Sequence, residues 1–190
     1  MNNMDDLITQ DIIKKASTGD LDAFEKIYRY YAGFVFNVSL RVTNDRETAK
    51  DVSQEVFLTV YRKLKNFRFD SSFKTWLYRI AMNTAINTAK KESKIKEKAL
   101  KSHIEEPGKP WQNDVNKHMD QVDNEQRLNT LLSKLQVQER ACMVLKHIEG
   151  LSCQDIADAL KMNVNTVKTK LRRAREKLMT LRKDVVKNEL

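Results

Sequence analysis

Residues 150–175 read GLSCQDIADALKMNVNTVKTKLRRAR, and this stretch decides the fold. Ser152 stands three residues before Asp155, close to a capping box, in which a hydroxyl and a carboxylate satisfy the first free N–H groups of a helix. Cys153, Ile156, Ala157 and Leu160 then recur on one face, so a short helix is expected to end near Leu160. Lys161-Met162-Asn163 makes a turn, and Asn163 can cap a second helix. That helix buries Val164, Val167, Leu171, Ala174, Leu178 and Leu181, at spacings of 3, 4, 3, 4 and 3. Two helices joined this tightly, the second basic and amphipathic, are the pattern of a helix-turn-helix, whose second helix enters the major groove of DNA.

The face opposite the buried stripe supports this reading. Lys168, Arg172 and Arg175 share it at i, i+4 and i+7, flanked by Thr169, Lys170 and Arg173. From Asn165 to Lys183 there are eight basic residues and one acidic, Glu176. Phosphates are the natural partners of such a helix. Residues near the start of a recognition helix approach base edges, which selects Asn165, Thr166, Lys168, Thr169 and Arg172 as candidate readers. Arg173, Arg175 and Lys177 are placed for phosphates. A basic run alone is more often a solvated helix face; the turn and the capped preceding helix favour DNA.

Outward from this motif, the 190 residues contain only 4 Gly and 2 Pro, too few turn formers for an all-β chain, so the fold class is all-α. The balance of 35 basic and 26 acidic residues, +9, favours an acidic partner. The N-terminus opens Met1-Asn2-Asn3-Met4-Asp5-Asp6 without a basic or apolar leader, so no secretory signal is expected and the chain is placed in the cytoplasm. The longest uncharged run, Tyr30 to Leu40, is eleven residues, short of the ~20 that a membrane helix needs, so no membrane insertion is expected. Cys142 and Cys153 are expected to be reduced and buried.

Both prolines lie in Glu105-Glu106-Pro107-Gly108-Lys109-Pro110, inside a polar stretch without strong apolar periodicity. Residues 93–123 therefore read as a flexible linker between two small helical domains, 1–92 and 124–190. The basic and acidic counts are 15 and 12 in the first block, 6 and 6 in the linker, and 14 and 8 in the last, so the positive field concentrates at the C-terminal end.

In the first block, Leu7 to Ser17 reads as a helix stopped by Gly19, and Asp20 caps a long one from Leu21 to about Val42. After Thr43-Asn44-Asp45, the residues Ala49, Val52, Val56, Val60 and Leu64 form a buried stripe. Asp51, Gln54 and Glu55, with Leu58 and Arg62, lie on its polar side as an acceptor-rich patch. The loop Asn66–Ser72 leads into a helix whose inner face is expected to be Phe73, Leu77, Ile80 and Thr84, fraying at Lys90-Lys91-Glu92. Arg79, Asn83, Asn87 and Lys90 share another face. Phe73 and Trp76 at helical spacing favour packing over a nucleic-acid platform. In the last block, Leu128, Leu131, Leu132 and Leu135, then Ala141, Val144, Leu145 and Ile148, make two further short helices ending at Gly150.

The run from Gly150 to Arg175 closely resembles region four of bacterial extracytoplasmic-function sigma factors. Asp51-Val52-Ser53-Gln54-Glu55-Val56-Phe57 independently resembles the region-two helix that docks on core RNA polymerase, and Phe73 to Asn83 the promoter-melting helix after it. The two motif sets, in the family's order, cover about residues 20–92 and 124–180. The resemblance implies that Asp51, Gln54, Glu55 and Leu58 bind polymerase. It implies that Asn66, Asp70, Ser71, Lys74, Arg79, Asn83 and Asn87 engage the minus-ten promoter element. It implies that Asn165, Thr166, Lys168, Thr169, Arg172, Arg173 and Arg175 engage the minus-thirty-five element. Promoter melting takes bases out of the stack at a cost of a few kcal/mol per step, which the loop 66–72 and its helix would offset. The implied partners are core RNA polymerase, promoter DNA and an anti-sigma factor, with a monomer when free and no cofactor or metal. Lys161 departs from the family, which often has Gly there, so either a small backbone strain or a tighter C-cap is expected at the turn.

Two rival readings are weaker. An enzyme would need a phosphate loop or a nucleophile site, and His147 with Cys142 at i+5 falls on a different helix face. A stand-alone helix-turn-helix regulator would bind a paired half-site without polymerase, and would leave the first block's motifs unexplained.

Overall fold

Several helices in this chain open on a side-chain cap. A computed structural model describes residues 8–102 and 121–188, with side chains at 8–95 and 127–181; most of the expected linker lies outside the described residues. Helix α1 spans Gln10–Ser17, capped by Thr9, so it begins three residues later than expected. Gly19 at φ +100° turns the chain into α2, Leu21–Thr43, where Asp20 Oδ1 accepts from Ala23 N at 2.9 Å. Asn44 in the left-handed region ends α2, and Asp45 Oδ1 accepts from Thr48 N at 2.7 Å to open α3, Arg46–Lys63. A single tighter turn, Leu64–Asn66, precedes the loop into α4, Phe73–Ser102.

The α3 stripe Ala49, Val52, Val56, Val60 and Leu64 is buried throughout. It packs against Ile27, Tyr31, Val35, Val38 and Val42 of α2, and each full burial of a Val or Leu is worth about 1.5–3 kcal/mol. On α4 the expected inner face needs correction. Phe73 and Leu77 are buried, but the stripe continues through Ala81, Ala85 and Ala89 with Tyr78, Met82 and Ile86 beside it, whereas Ile80 and Thr84 are only partly covered. Small alanines let α4 approach α2 and α3 closely, which turns Ile80 and Thr84 to its flank. The helix also does not fray at Lys90. Glu92 Oε1 accepts from Thr48 Oγ1 at 2.6 Å and Ala89 is buried, so the backbone stays helical to Ser102.

The second half begins with α5, Gln121–Ser133, three residues ahead of the expected boundary. Leu132 and Leu135 are buried as expected, but Leu131 is 44% exposed. Helix α6, Val137–Met143, loosens into a π turn over Val144–Ile148 and closes at Gly150, φ +70°. Helix α7, Cys153–Leu160, carries the expected capping box: Ser152 Oγ accepts from Asp155 N at 3.1 Å and Asp155 Oδ2 accepts from Ser152 N at 3.2 Å. Lys161 takes φ 51°, and Met162 N donates to Ala157 O at 2.9 Å across this left-handed cap. Helix α8, Val164–Asn188, starts where Asn163 Oδ1 accepts from Asn165 N at 2.8 Å. Val167, Leu171 and Ala174 are its buried stripe, with Val164, Leu178 and Leu181 at the rim. Cys142 is buried and its thiol is pushed up to about 11 by burial, while Cys153, expected to be buried, is only half covered.

Among the described residues there is no strand, and the fold is two helical halves. They pack on one another, α6 and α7 against α2 and α4, with buried residues of both in one cluster.

Candidate polymerase and nucleic-acid interfaces

The geometry of α8 separates its basic residues into two groups. Asn165, Thr166, Lys168, Thr169, Arg172, Arg173 and Arg175 are all exposed on the outer face. Thr169 Oγ1 donates to Asn165 O at 2.8 Å, and Arg172 Nη1 meets Glu176 Oε1 at 2.6 Å, so both side chains are held along the helix. Lys170 and Lys177 belong elsewhere. Lys177 Nζ lies 2.9 Å from Oε2 of Glu139, which is 3% exposed, and Lys170 is half covered beside the same carboxylate. Burial alone would raise the Glu139 carboxyl, but the Lys177 ammonium, the Gln136 N–H and the Lys170 charge together hold it below its ordinary value. Lys177, expected at a phosphate, thus pairs a buried acid inside its own half. It flanks the buried stripe, three residues after Ala174.

On α3, the side chains of Asp51, Gln54, Glu55 and Leu58 are all exposed, Leu58 at 54%. An apolar border adjoins them that the sequence reading did not single out. Tyr61, Tyr28 and Leu21 are exposed, with Tyr28 edge-on to Phe57 at 4.8 Å and Tyr61 edge-on to Phe24 at 5.1 Å. The available signal was Tyr61 at i+3 from Leu58, off the buried stripe. Exposed aromatics beside charged acceptors suit a protein partner.

The residues assigned to the minus-ten element divide into separate places. Arg79, Asn83 and Asn87 come together on a crevice of about 670 Å³, whose other walls are Thr59, Lys63, Trp76, Ile80, Thr84 and Lys161. Ser71 and Lys74 instead line a second cavity of about 350 Å³, with Phe69, Tyr31 and residues of α1. Asn66 and Asp70 are exposed and line neither. Lys63 joins the crevice unforeseen by pattern; Trp76, whose spacing favoured packing, joins it as well, three residues before Arg79 and seven before Asn83, on their face. Its ring packs on Phe67 at 5.1 Å, and Phe67 also meets Phe69 and Phe73. Phe73 is core, as its spacing favoured, but Trp76 is both packed and crevice-lining. The first half's share of the crevice carries two cations, Lys63 and Arg79, and no acid, so it is electrically suited to a phosphate chain with bases; Lys161 of the second half adds a third.

The Sigma-70 region 2 family matches residues 27–95, and the Sigma-70 region 4 family matches residues 125–178. The RNA polymerase sigma-H factor of Pseudomonas aeruginosa is 32% identical, over 88% of this chain and 90% of that protein. The ECF RNA polymerase sigma-E factor of Haemophilus influenzae is 33% identical, over 90% and 93%. The structure of CnrH in complex with the cytosolic domain of CnrY has a similar fold, with a TM-score of 0.64 at 22% identity over 93% of this chain and 98% of that one. The chain belongs to the extracytoplasmic-function sigma factors of RNA polymerase. It directs transcription initiation as an alternative sigma factor.

Proposed function

We propose that residues 1–92 hold core RNA polymerase and open the minus-ten element, that 93–123 link the halves, and that 124–190 grip the minus-thirty-five element. Asp51, Gln54, Glu55 and Leu58 meet basic side chains of the polymerase clamp, where Arg-carboxylate pairs set register as well as affinity. Arg79, Asn83 and Asn87 hold the separated strand, with Trp76 as a stacking wall, while Ser71 and Lys74 at the second cavity and the exposed Asn66 and Asp70 meet the same element outside the crevice. On α8, Asn165, Thr166, Lys168, Thr169 and Arg172 read bases, and Arg173 and Arg175 bind phosphates. The polymerase supplies the chemistry, so this chain contributes recognition and no catalytic group of its own, and it works in the cytoplasm. CnrH and the Bartonella quintana sigma factor RpoE are held by CnrY and NepR, and a protein inhibitor of that kind is the expected regulator of this chain, a monomer when free.

The observation that carries the reading is the first half's face of the crevice, where an aromatic wall, two amides and the cations Lys63 and Arg79 converge without an acid. Run-off transcription by core polymerase plus this protein, on DNA upstream of its own gene, tests it. A discrete transcript that needs both components is expected, with a gel shift only when core is present. Equal DNA binding with and without core overturns it in favour of a stand-alone regulator.

A further inference from the structure

Among the cations of α8 stands one carboxylate. Between Asn165 and Lys183, Glu176 is the sole acid beside eight basic residues, and it lies four positions after Arg172. Arg172 Nη1 meets Glu176 Oε1 at 2.6 Å, with the two side chains 66% and 57% exposed. Lys168, one turn earlier on the same row, and Arg173 and Arg175 beside it make no ion pair among the described residues. The other acid close to α8, Glu139, is buried and already holds Lys177. Among the described residues, Arg172 is thus the one candidate DNA contact of this helix whose cation is tied to an anion of its own chain.

Neither stability nor raw affinity accounts for this pair. An ion pair so exposed adds little to the fold, because water screens it and two long side chains lose freedom in making it. A carboxylate on a helix that meets phosphates repels them, and so opposes the field of the neighbouring cations. Its position gives it a use. At about 1.5 Å per residue, Arg172 stands about 10 Å along the axis from Asn165, and Glu176 about 16 Å. With the start of α8 at the base edges of a groove ~8.5 Å deep and ~12 Å wide, Glu176 comes to the phosphate rim, and Arg172 can reach either base or rim. The carboxylate decides between them. A guanidinium is a rigid fork with several donors, and Nη1 on Glu176 leaves Nε and Nη2 for a second acceptor. A neutral base edge with two acceptors, such as N7 and O6 of guanine, fits there. A phosphate would bring a second negative charge against the carboxylate.

We propose that Glu176 is a positioning residue that sets promoter specificity: it occupies one side of the Arg172 guanidinium, presents the other to a base, and keeps that cation off the phosphate backbone. This role rests on the assignment of Arg172 to base reading and deepens it, since the reader is then a pair of side chains. Without Glu176, Arg172 binds any phosphate within reach, so the helix holds DNA of any sequence more tightly and its own element less selectively.

Holoenzyme assembled from core polymerase and the full chain tests this, on the promoter upstream of its own gene and on templates with each base pair of the minus-thirty-five element changed in turn. Arg172→Ala marks the position that Arg172 reads, as the one whose preference in run-off transcript it abolishes. Glu176→Ala is expected to reduce preference at that same position about fivefold and to leave the other positions as they are. Its binding to a duplex with a scrambled element should tighten, with a salt slope steeper by about 1 as one more phosphate is engaged. A side chain that merely supported the helix would weaken every template alike. In an Arg172→Ala background, Glu176→Ala is expected to change neither preference nor slope, because the partner it acts through is gone. Glu176→Ala that keeps the wild-type preference, or that shifts the slope equally with and without Arg172, overturns the role of Glu176 and leaves Arg172 a reader. Arg172→Ala that relaxes no position overturns the reader assignment itself, and the role of Glu176 with it.

Discussion

Lys161 holds a left-handed conformation that costs a β-carbon-bearing residue roughly 1–2 kcal/mol. Lys161→Gly removes that clash but frees the unfolded chain, so a net gain of about 0.5–1 kcal/mol is expected, a rise of about 1–4 °C in the thermal midpoint. A lower midpoint would show the cap unstrained. Glu139 is the opposite kind of residue, a buried acid stabilised by its charge. Its carboxyl lies below the ordinary 4.5, so its contribution is full above that value and is lost as pH falls through the lower, folded one. Glu139→Gln should therefore be less stable than wild type at neutral pH, with the gap closing in acid denaturation below pH 4.5. On α8, Arg172→Ala is expected to cost about 1–3 kcal/mol of promoter binding and relax one position, whereas Arg173→Ala should weaken all sequences alike and reduce the salt slope by about 1. Identical effects of the two would erase the distinction between reader and phosphate contact. The outward group on α8 was legible because period 3.6 separates it cleanly from Val167, Leu171 and Ala174. Lys170 and Lys177 were not, because charge counts alike on either side of a stripe until a buried partner such as Glu139 is known.

Elements with one partner face were legible, and those with two were not. Helix α3 meets the core along a single line, so spacings of 3 and 4 named its stripe in full. Helix α4 is covered by α2 and α3 on one side and by α6 and α7 on the other, and alanines at 81, 85 and 89 give periodicity almost no contrast. Leu77→Ala should destabilise the protein by about 2–5 kcal/mol in urea unfolding, and Ile80→Ala by distinctly less, because Ile80 lines the crevice and is only partly covered. Equal losses would return Ile80 to the core. The caps at Asp20, Ser152 and Asn163 were readable, since each depends on one side chain and a neighbour at i+2 or i+3; Asp45, read only as part of a polar break, caps α3 in the same way. The length of α4 was not, because Thr48 to Glu92 spans 44 positions.

At the scale of the molecule, the order of the halves and the concentration of positive charge in the second were written in composition. Their contact was not. Arg140, Tyr78 and Glu149 each read alone as an ordinary helical residue, and the groups they join lie 98 and 71 positions apart. One more consequence follows from the shared cluster that runs from Val35 through Leu145 to Val167. Melting either half would strip a wall from the other, so heat should unfold the free protein in a single calorimetric peak whose van't Hoff and measured enthalpies agree. Glu149→Ala should broaden that peak or split it in two. Cooperativity of this kind makes each half a chaperone for the other, shielding apolar surface that either alone would leave to water.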